Sequence, residues 1–139
     1  MTMTAGIDVG ASGVKVAILN VQNALAYGPE VEAEIVTLAS DRIRKRMPNA
    51  IAKECFDVAL QQAGLSEEDV CYVASTGDGE AVEFRRGHFY GMTTHARGGL
   101  FLVPQANAVL DIGALHARAI QIDRLSKVLG YRMTSQCAS

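Results

Sequence analysis

The chain has 139 residues, 49% hydrophobic and 20% charged, which excludes a disordered segment and leaves enough apolar material for a sizeable core. Thirteen basic residues stand against fifteen acidic ones, for a net charge of −2, so no long-range field argues for a nucleic-acid partner. No apolar run approaches the roughly 18–20 residues of a membrane span, and no charged stretch precedes an apolar one at the start, so neither a membrane nor a signal peptide is expected.

In chain order, "TAGIDVG" (4–10) reads as a buried strand ending in a glycine turn. "VKVAILN" (14–20) follows with Val14, Val16 and Ile18 on one face, so the first twenty residues are expected to form a β-hairpin. "VEAEIVTLA" (31–39) alternates again and reads as a third strand. The basic cluster "RIRKR", Arg42 to Arg46, is then either a solvated loop or a contact for an anionic ligand or partner. Pro48 suits a first helical turn, and Ile51, Ala52, Cys55, Phe56, Ala59, Leu60 and Ala63 recur at helical spacing up to the stop at Gly64. "DVCYVASTG" (69–77) reads as a strand entering a glycine-rich loop, "TGDGE" (76–80). Residues 91–103 read as a helix weakened by Gly98 and Gly99 and closed by Pro104. "NAVLDIG", "HARAIQID" and "KVLGYRMT" supply three more strands. The order β-β-β-α-β-α-β-β-β predicts an α/β fold with a mixed sheet. A boundary at Pro104 divides it into 1–104 and 105–139.

Residues 7–16, "IDVGASGVKV", align with residues 110–119, "LDIGALHARA". Asp8 pairs with Asp111, Gly10 with Gly113, Ala11 with Ala114 and Lys15 with Arg118, so the same strand–turn–strand device occurs twice and an internal duplication is expected. An aspartate ending a buried strand can hold Mg²⁺ or its waters. Small residues after it let backbone N–H groups approach an anion, while Ser12 adds a hydroxyl and Lys15 a cation. Two such hairpins facing each other would clamp a polyphosphate. The chain lacks GxxxxGK[ST], and its glycines do not fit GxGxxG followed by a helix. The bland alternative is a pair of ordinary tight hairpins with aspartate capping each turn.

"GIDVGASGVKV" resembles the first phosphate loop of the actin, sugar kinase and Hsp70 ATPase superfamily, and "VLDIGALHARA" its second. That resemblance implies a ribonuclease-H-like, actin/Hsp70-type ATPase fold, present as a first domain plus the start of a second. Two related domains would close over ATP and Mg²⁺. Asp8, Gly10, Ala11, Ser12 and Lys15 fall on the first loop, and Asp111, Gly113 and Ala114 on the second; the two aspartates would be the catalytic groups. Within the superfamily, "DRIRKRMP", "VASTGDGEAVEF", "GHFYGMTTHARGG", "AVLDIGALHARAI" and "YRMTSQCAS" together resemble the ATP-binding subunits of benzoyl-CoA reductase, grouped with the activators of 2-hydroxyacyl-CoA dehydratases. "DIGALH" and "MTSQCAS" are most similar to the reductase's delta-type subunit. The activators read DIGGQDxK where this chain has Ala114, Leu115, His116 and Arg118.

The resemblance further implies that ATP hydrolysis drives closure between subunits. A [4Fe–4S] cluster shared at the interface would pass electrons from a ferredoxin-type donor to the ring-reducing subunits, alongside a homologous ATPase subunit. Cys137 matches one cluster ligand of that family. A second ligand and the adenosine loop lie later in those proteins, so this chain is expected to be an N-terminal portion that binds ATP weakly or not at all on its own. Three cysteines without CxxC pairing fit a reducing compartment, and the cytoplasm is the expected location. Cys55 and Cys71 read as core residues, and His88 and His95 as structural or surface groups. His116 is open between a phosphate or interface contact and neither, and no contact for "TGDGE" is derivable. Rival readings are a dehydratase activator, a small-molecule kinase of the same superfamily and a non-catalytic interaction module.

Overall fold

Eight strands and two helices follow one another through residues 2–23, 25–26 and 30–135, the residues described by a computed structural model. They separate into two compact units. The first contains all elements up to Phe89, and the second begins with the helix that follows.

In the first unit, strand β1 (Thr2–Val9) turns into the antiparallel β2 (Gly13–Val21), which pairs with β3 (Ala33–Arg42). Helix α1 (Pro48–Ala63) then leads to β4 (Val70–Gly77), parallel to β1, and to the short β5 (Gly87–Phe89), parallel to β4. The resulting mixed sheet has the order β3-β2-β1-β4-β5. Helix α1 starts on Pro48, whose missing N–H costs nothing in a first turn, and stops at Gly64, which sits at φ 67° and returns its N–H to Gln61. Its apolar stripe, Ile51, Ala52, Cys55, Phe56, Ala59 and Leu60, packs with Ala5, Ile7, Val9, Val14, Val16 and Ile18. Phe56 also stacks on Phe84 at a centroid distance of 5.3 Å. Alternation places Asp8, Lys15, Ser40 and Arg42 on the opposite face of this sheet from α1.

In the second unit, helix α2 (Gly91–Leu102) packs Ala96 and Leu100 against Ile120 and Ile122, with Met92, Val109 and Val128 around them. The sheet is an antiparallel meander of β6 (Ala108–Ile112), β7 (His116–Ile122) and β8 (Val128–Ser135). Gly99, which as a residue type weakens a helix, is where Val109 presses against α2; a Cβ there would overlap the valine side chain.

One strand goes unpredicted, and the reading of Cys71 as a core residue needs correction. Strand β5 is not legible in "GHF", because three residues carry no alternation and their pairing comes from β4. Cys71 is exposed and its thiol donates to the Met3 carbonyl at 3.1 Å. The register between β1 and β4 slips at this point, so Val70 and Val73 face the core and the cysteine does not. His88 lies on β5 and His95 on α2.

Candidate functional site

The first hairpin closes where Val9 pairs with Val14. The Gly10 N–H donates to the Gly13 carbonyl at 2.8 Å, leaving the loop Gly10, Ala11 and Ser12 between the strands, with Ala11 and Ser12 exposed. Asp8 lies half-buried one residue before the end of β1, in register with Lys15 on β2 and with Thr76 on β4. Lys15 is exposed, and its Nζ lies 4.0 Å from where a Cβ on Gly10 would stand, so the ammonium hangs over the loop. The hairpin therefore assembles Asp8, Gly10, Ala11, Ser12 and Lys15 at one end of the sheet. A carboxylate, small-residue amides, a hydroxyl and a cation in this arrangement suit a polyphosphate carrying a hydrated divalent cation.

The "TGDGE" loop, for which the sequence alone supplies no contact, closes this site from the β4 side. Gly77 ends β4 beside Val9 at φ 66°, and the Asp78 N–H donates to the Val9 carbonyl at 2.8 Å. A Cβ on Gly77 would overlap the Val9 carbonyl and stand 2.9 Å from Asp8 Oδ1, so the Asp8 carboxylate keeps its position only against a glycine. Behind the loop, the buried Ser75 hydroxyl donates to the Gly79 carbonyl at 2.8 Å. Since Ser75 Oγ spends its proton there, His88 Nδ1, 2.9 Å away, is the donor to Ser75. Thr76 Oγ1 donates to the Phe89 carbonyl at 2.7 Å, so β5 braces the same turn. Sequence reasoning missed these bracing roles of Ser75, Gly77 and His88. The signal available was Gly-Asp-Gly directly after a buried strand.

The second hairpin has the same backbone. Ile112 pairs with Ala117, Asp111 with Arg118, and the Gly113 N–H donates to the His116 carbonyl at 2.9 Å. Ala114 and Leu115 are exposed at its tip. Its side chains are arranged differently. Arg118 donates from both Nε, at 2.9 Å, and Nη2 to Asp111 Oδ2, and only 13% and 17% of these two side chains is exposed. His95 Nδ1, from α2, stands 3.0 Å from the same Asp111 oxygen and 3.2 Å from Arg118 Nη2. A protonated Nδ1 donates to Asp111, whereas a bare Nδ1 accepts from Arg118; either arrangement ties α2 to the hairpin. Burial pushes the Asp111 carboxyl up. The Arg118 hydrogen bond and the charge of His95 outweigh that and hold it below the usual carboxylate range.

Cys137 lies outside the described residues. Among the described residues no group of three or more His, Cys, Asp or Glu could hold a metal, so they offer no cluster-binding set of their own. Cys55 is buried against the first core, and burial pushes its thiol up, the state of an inert core cysteine. No helix among the described residues is long and apolar enough to cross a membrane.

This geometry has close relatives. The chain is 51% identical, over all 139 of its residues, to a benzoyl-CoA reductase polypeptide of Thauera aromatica, one of that enzyme's subunits, of which it covers 47%. It is 30% identical over 138 residues to the activator of lactoyl-CoA dehydratase of Anaerotignum propionicum, covering 98% of this chain and 48% of that protein. Among solved structures, the activator of the 2-hydroxyisocaproyl-CoA dehydratase from Clostridium difficile with bound ADPNP superposes with a TM-score of 0.78. That match is 25% identical over 99% of this chain and 47% of the other. The chain thus spans about half the length of the relatives it matches. The fold is the mixed-sheet, ribonuclease-H-like, actin/Hsp70-type ATPase fold expected from the two loops. From residue 5 to residue 139 the sequence matches the BadF/BadG/BcrA/BcrD ATPase family, and the chain belongs to it.

Proposed function

We propose that this chain serves in an ATP-binding and ATP-hydrolysing subunit of a benzoyl-CoA reductase-type complex in the cytoplasm. There it drives electrons from a ferredoxin-type donor towards ring-reducing subunits, beside a homologous ATPase subunit. The observation that carries this reading is the 51% identity along the whole chain to a benzoyl-CoA reductase subunit, with both DxGA hairpins intact in backbone form. In this reading Asp8 orients Mg²⁺ or its waters, and Gly10, whose own N–H closes the turn on the Gly13 carbonyl, opens a loop in which the Ala11 amide binds phosphate with the Ser12 hydroxyl and the Lys15 ammonium. Gly113, whose N–H closes the turn on the His116 carbonyl, and Ala114, which presents its amide, form a second phosphate loop, with Asp111 behind them. Cys137 is a thiolate ligand of a [4Fe–4S] cluster shared between subunits. Bound Mg²⁺ would neutralise phosphate charge, and the cluster would carry the electron. ATP promotes the transfer only if these residues bind it better in one conformation than in another.

The second reading is an activator of a 2-hydroxyacyl-CoA dehydratase, favoured by the 30% identity to the lactoyl-CoA enzyme's activator. Substrate assays of the native complex separate the two: reduction of benzoyl-CoA supports the first, and dehydration of a 2-hydroxyacyl-CoA the second. For the site itself, Asp8→Asn in the native protein, isolated without oxygen, is expected to lower ATP hydrolysis on the order of 100-fold. The visible absorbance of the iron–sulfur cluster should persist in that variant. Cys137→Ser should do the reverse, removing that absorbance while ATP still binds. A colourless native protein, or unchanged hydrolysis in Asp8→Asn, would sink the reading.

A further inference from the structure

The basic stretch Arg42 to Arg46 does not lie apart from the first hairpin. The Ile43 N–H donates to the Ser12 carbonyl at 3.1 Å, so the loop after β3 is fastened to the loop between β1 and β2. Arg42, the last residue of β3, is in register with Gly13, and two residues along, Ser40 is in register with Lys15. Facing residues of antiparallel strands share a face. Arg42, Lys15 and Asp8 therefore lie together on the face away from α1, whereas Ala39 and Ile43 pack on the α1 side. Gly13 brings no side chain to that face. A Cβ there would stand 3.0 Å from the Asp41 carbonyl and 3.9 Å from the Arg42 Cα, so glycine lets β3 close in.

The charges of this stretch divide in two. Arg46 is used within the fold: it pairs with Asp41 at 3.0 Å and Glu54 at 3.1 Å and donates to the Arg42 carbonyl at 2.8 Å. Arg42 engages only its backbone, its N–H donating to Asp41 Oδ1 at 2.8 Å. Its side chain is exposed, and no partner to the guanidinium occurs among the described residues. The turn that ends the strand is unusual, since Arg44 and Lys45 both take left-handed backbone angles, φ 45° and 63°. Such backbone persists only where its surroundings hold it, and here the Arg46 bonds and the Ile43–Ser12 bond do so.

We infer that Arg42 is a second cation of the first phosphate loop, binding the phosphate chain of a nucleoside triphosphate beside Lys15. The inference rests on the reading of the first hairpin as a phosphate site and adds a residue from a different strand. A guanidinium offers a planar fork of donors for phosphate oxygens, which the single ammonium of Lys15 does not. Two cations on one face beside the loop suit a polyanion better than a singly charged ligand.

The test is the affinity of the native protein for a non-hydrolysable ATP analogue, measured by calorimetry with Mg²⁺ present. Arg42→Gln is expected to weaken binding about 10-fold, and Arg42→Lys to recover part of the loss. The melting temperature should not change, because the side chain is exposed. Lys45→Gln, a charge removed from the same loop, should leave affinity within about twofold of the native value. If Lys15→Met weakens binding and Arg42→Gln does not, the assignment of Arg42 is wrong while the phosphate site stands. If neither variant matters, the reading of the hairpin itself fails and takes this inference with it. Equal losses in Arg42→Gln and Lys45→Gln would indicate a diffuse charge effect and overturn the assignment. So would a loss of partner-subunit association in Arg42→Gln at unchanged ATP affinity.

Discussion

The two DxGA hairpins share a backbone and differ in what surrounds the aspartate. Both close with an apolar pair, Val9 with Val14 and Ile112 with Ala117, and both set aspartate against a cationic residue. Both return the loop glycine N–H to the carbonyl three residues on. Around Asp8 the neighbour is β4, which brings a glycine turn and leaves Lys15 exposed. Around Asp111 the neighbour is α2, which brings His95, and Arg118 folds down onto the carboxylate. The duplicated backbone cradle is thus kept by strand pairing and the bond across the turn, while the chemistry of each copy is set by the element packed beside it.

The largest test of this contrast is Asp111→Asn. It leaves a mostly buried Arg118 without its counter-charge, and breaking such a pair costs about 2–3 kcal/mol of stability, less than a fully buried pair because both side chains retain some solvent. Asp8→Asn should act on ATP hydrolysis by more than its effect on stability explains. The contrast has a pH signature. The folded carboxyl of Asp111 titrates below its ordinary value. Its stabilisation is therefore present above the unfolded carboxylate pKa of about 4 and is lost as pH falls through the lower folded value. Urea denaturation as a function of pH should show native and Asp111→Asn midpoints converging in acid. A constant gap down to low pH would mean that Asp111 is not held as an ion pair.

Next in size is Gly77→Ala. A left-handed backbone and an overlap with the Val9 carbonyl predict a loss of about 2 kcal/mol. Because the added methyl also meets Asp8 Oδ1, hydrolysis should fall by more than the melting curve explains. If hydrolysis tracks stability alone, the glycine turn is only a support, and the first aspartate is not positioned by β4.

Much of this was readable from residue pattern. The α1 stripe from Ile51 to Ala63 lies on the helical period, with Pro48 and Gly64 marking its ends, so propensity, pattern and packing agree. The hairpins were legible because the same residues recur at the same offsets in two copies. What was not legible depended on partners far along the chain. Asp111 looks equivalent to Asp8 until α2 delivers His95 from sixteen residues upstream. Arg42 looks like one charge in a solvated run until the register with Gly13 places it on the Asp8 face. Cys71 looks apolar-facing until the register slip beside Met3 breaks the alternation.

The smallest test compares equivalent glycines, Gly10 and Gly113. Neither has a left-handed φ, so alanine meets no backbone penalty at either place and only the surroundings differ. A Cβ on Gly10 would stand 3.3 Å from the Gly13 carbonyl, close enough that the loop must shift by a few tenths of an ångström. The corresponding approach at Gly113, to the His116 carbonyl, is 3.6 Å, an ordinary contact. Gly10→Ala should therefore cost about 0.5–1 kcal/mol, whereas Gly113→Ala should be neutral or stabilise by about 0.5 kcal/mol through the unfolded chain. The shift at Gly10 moves the Ala11 amide proposed to hold phosphate, so ATP affinity should fall in Gly10→Ala and hold within about twofold in Gly113→Ala. Equal losses of affinity in both would mean that the second loop grips phosphate as tightly as the first. The divergence of the two copies would then be confined to their aspartates.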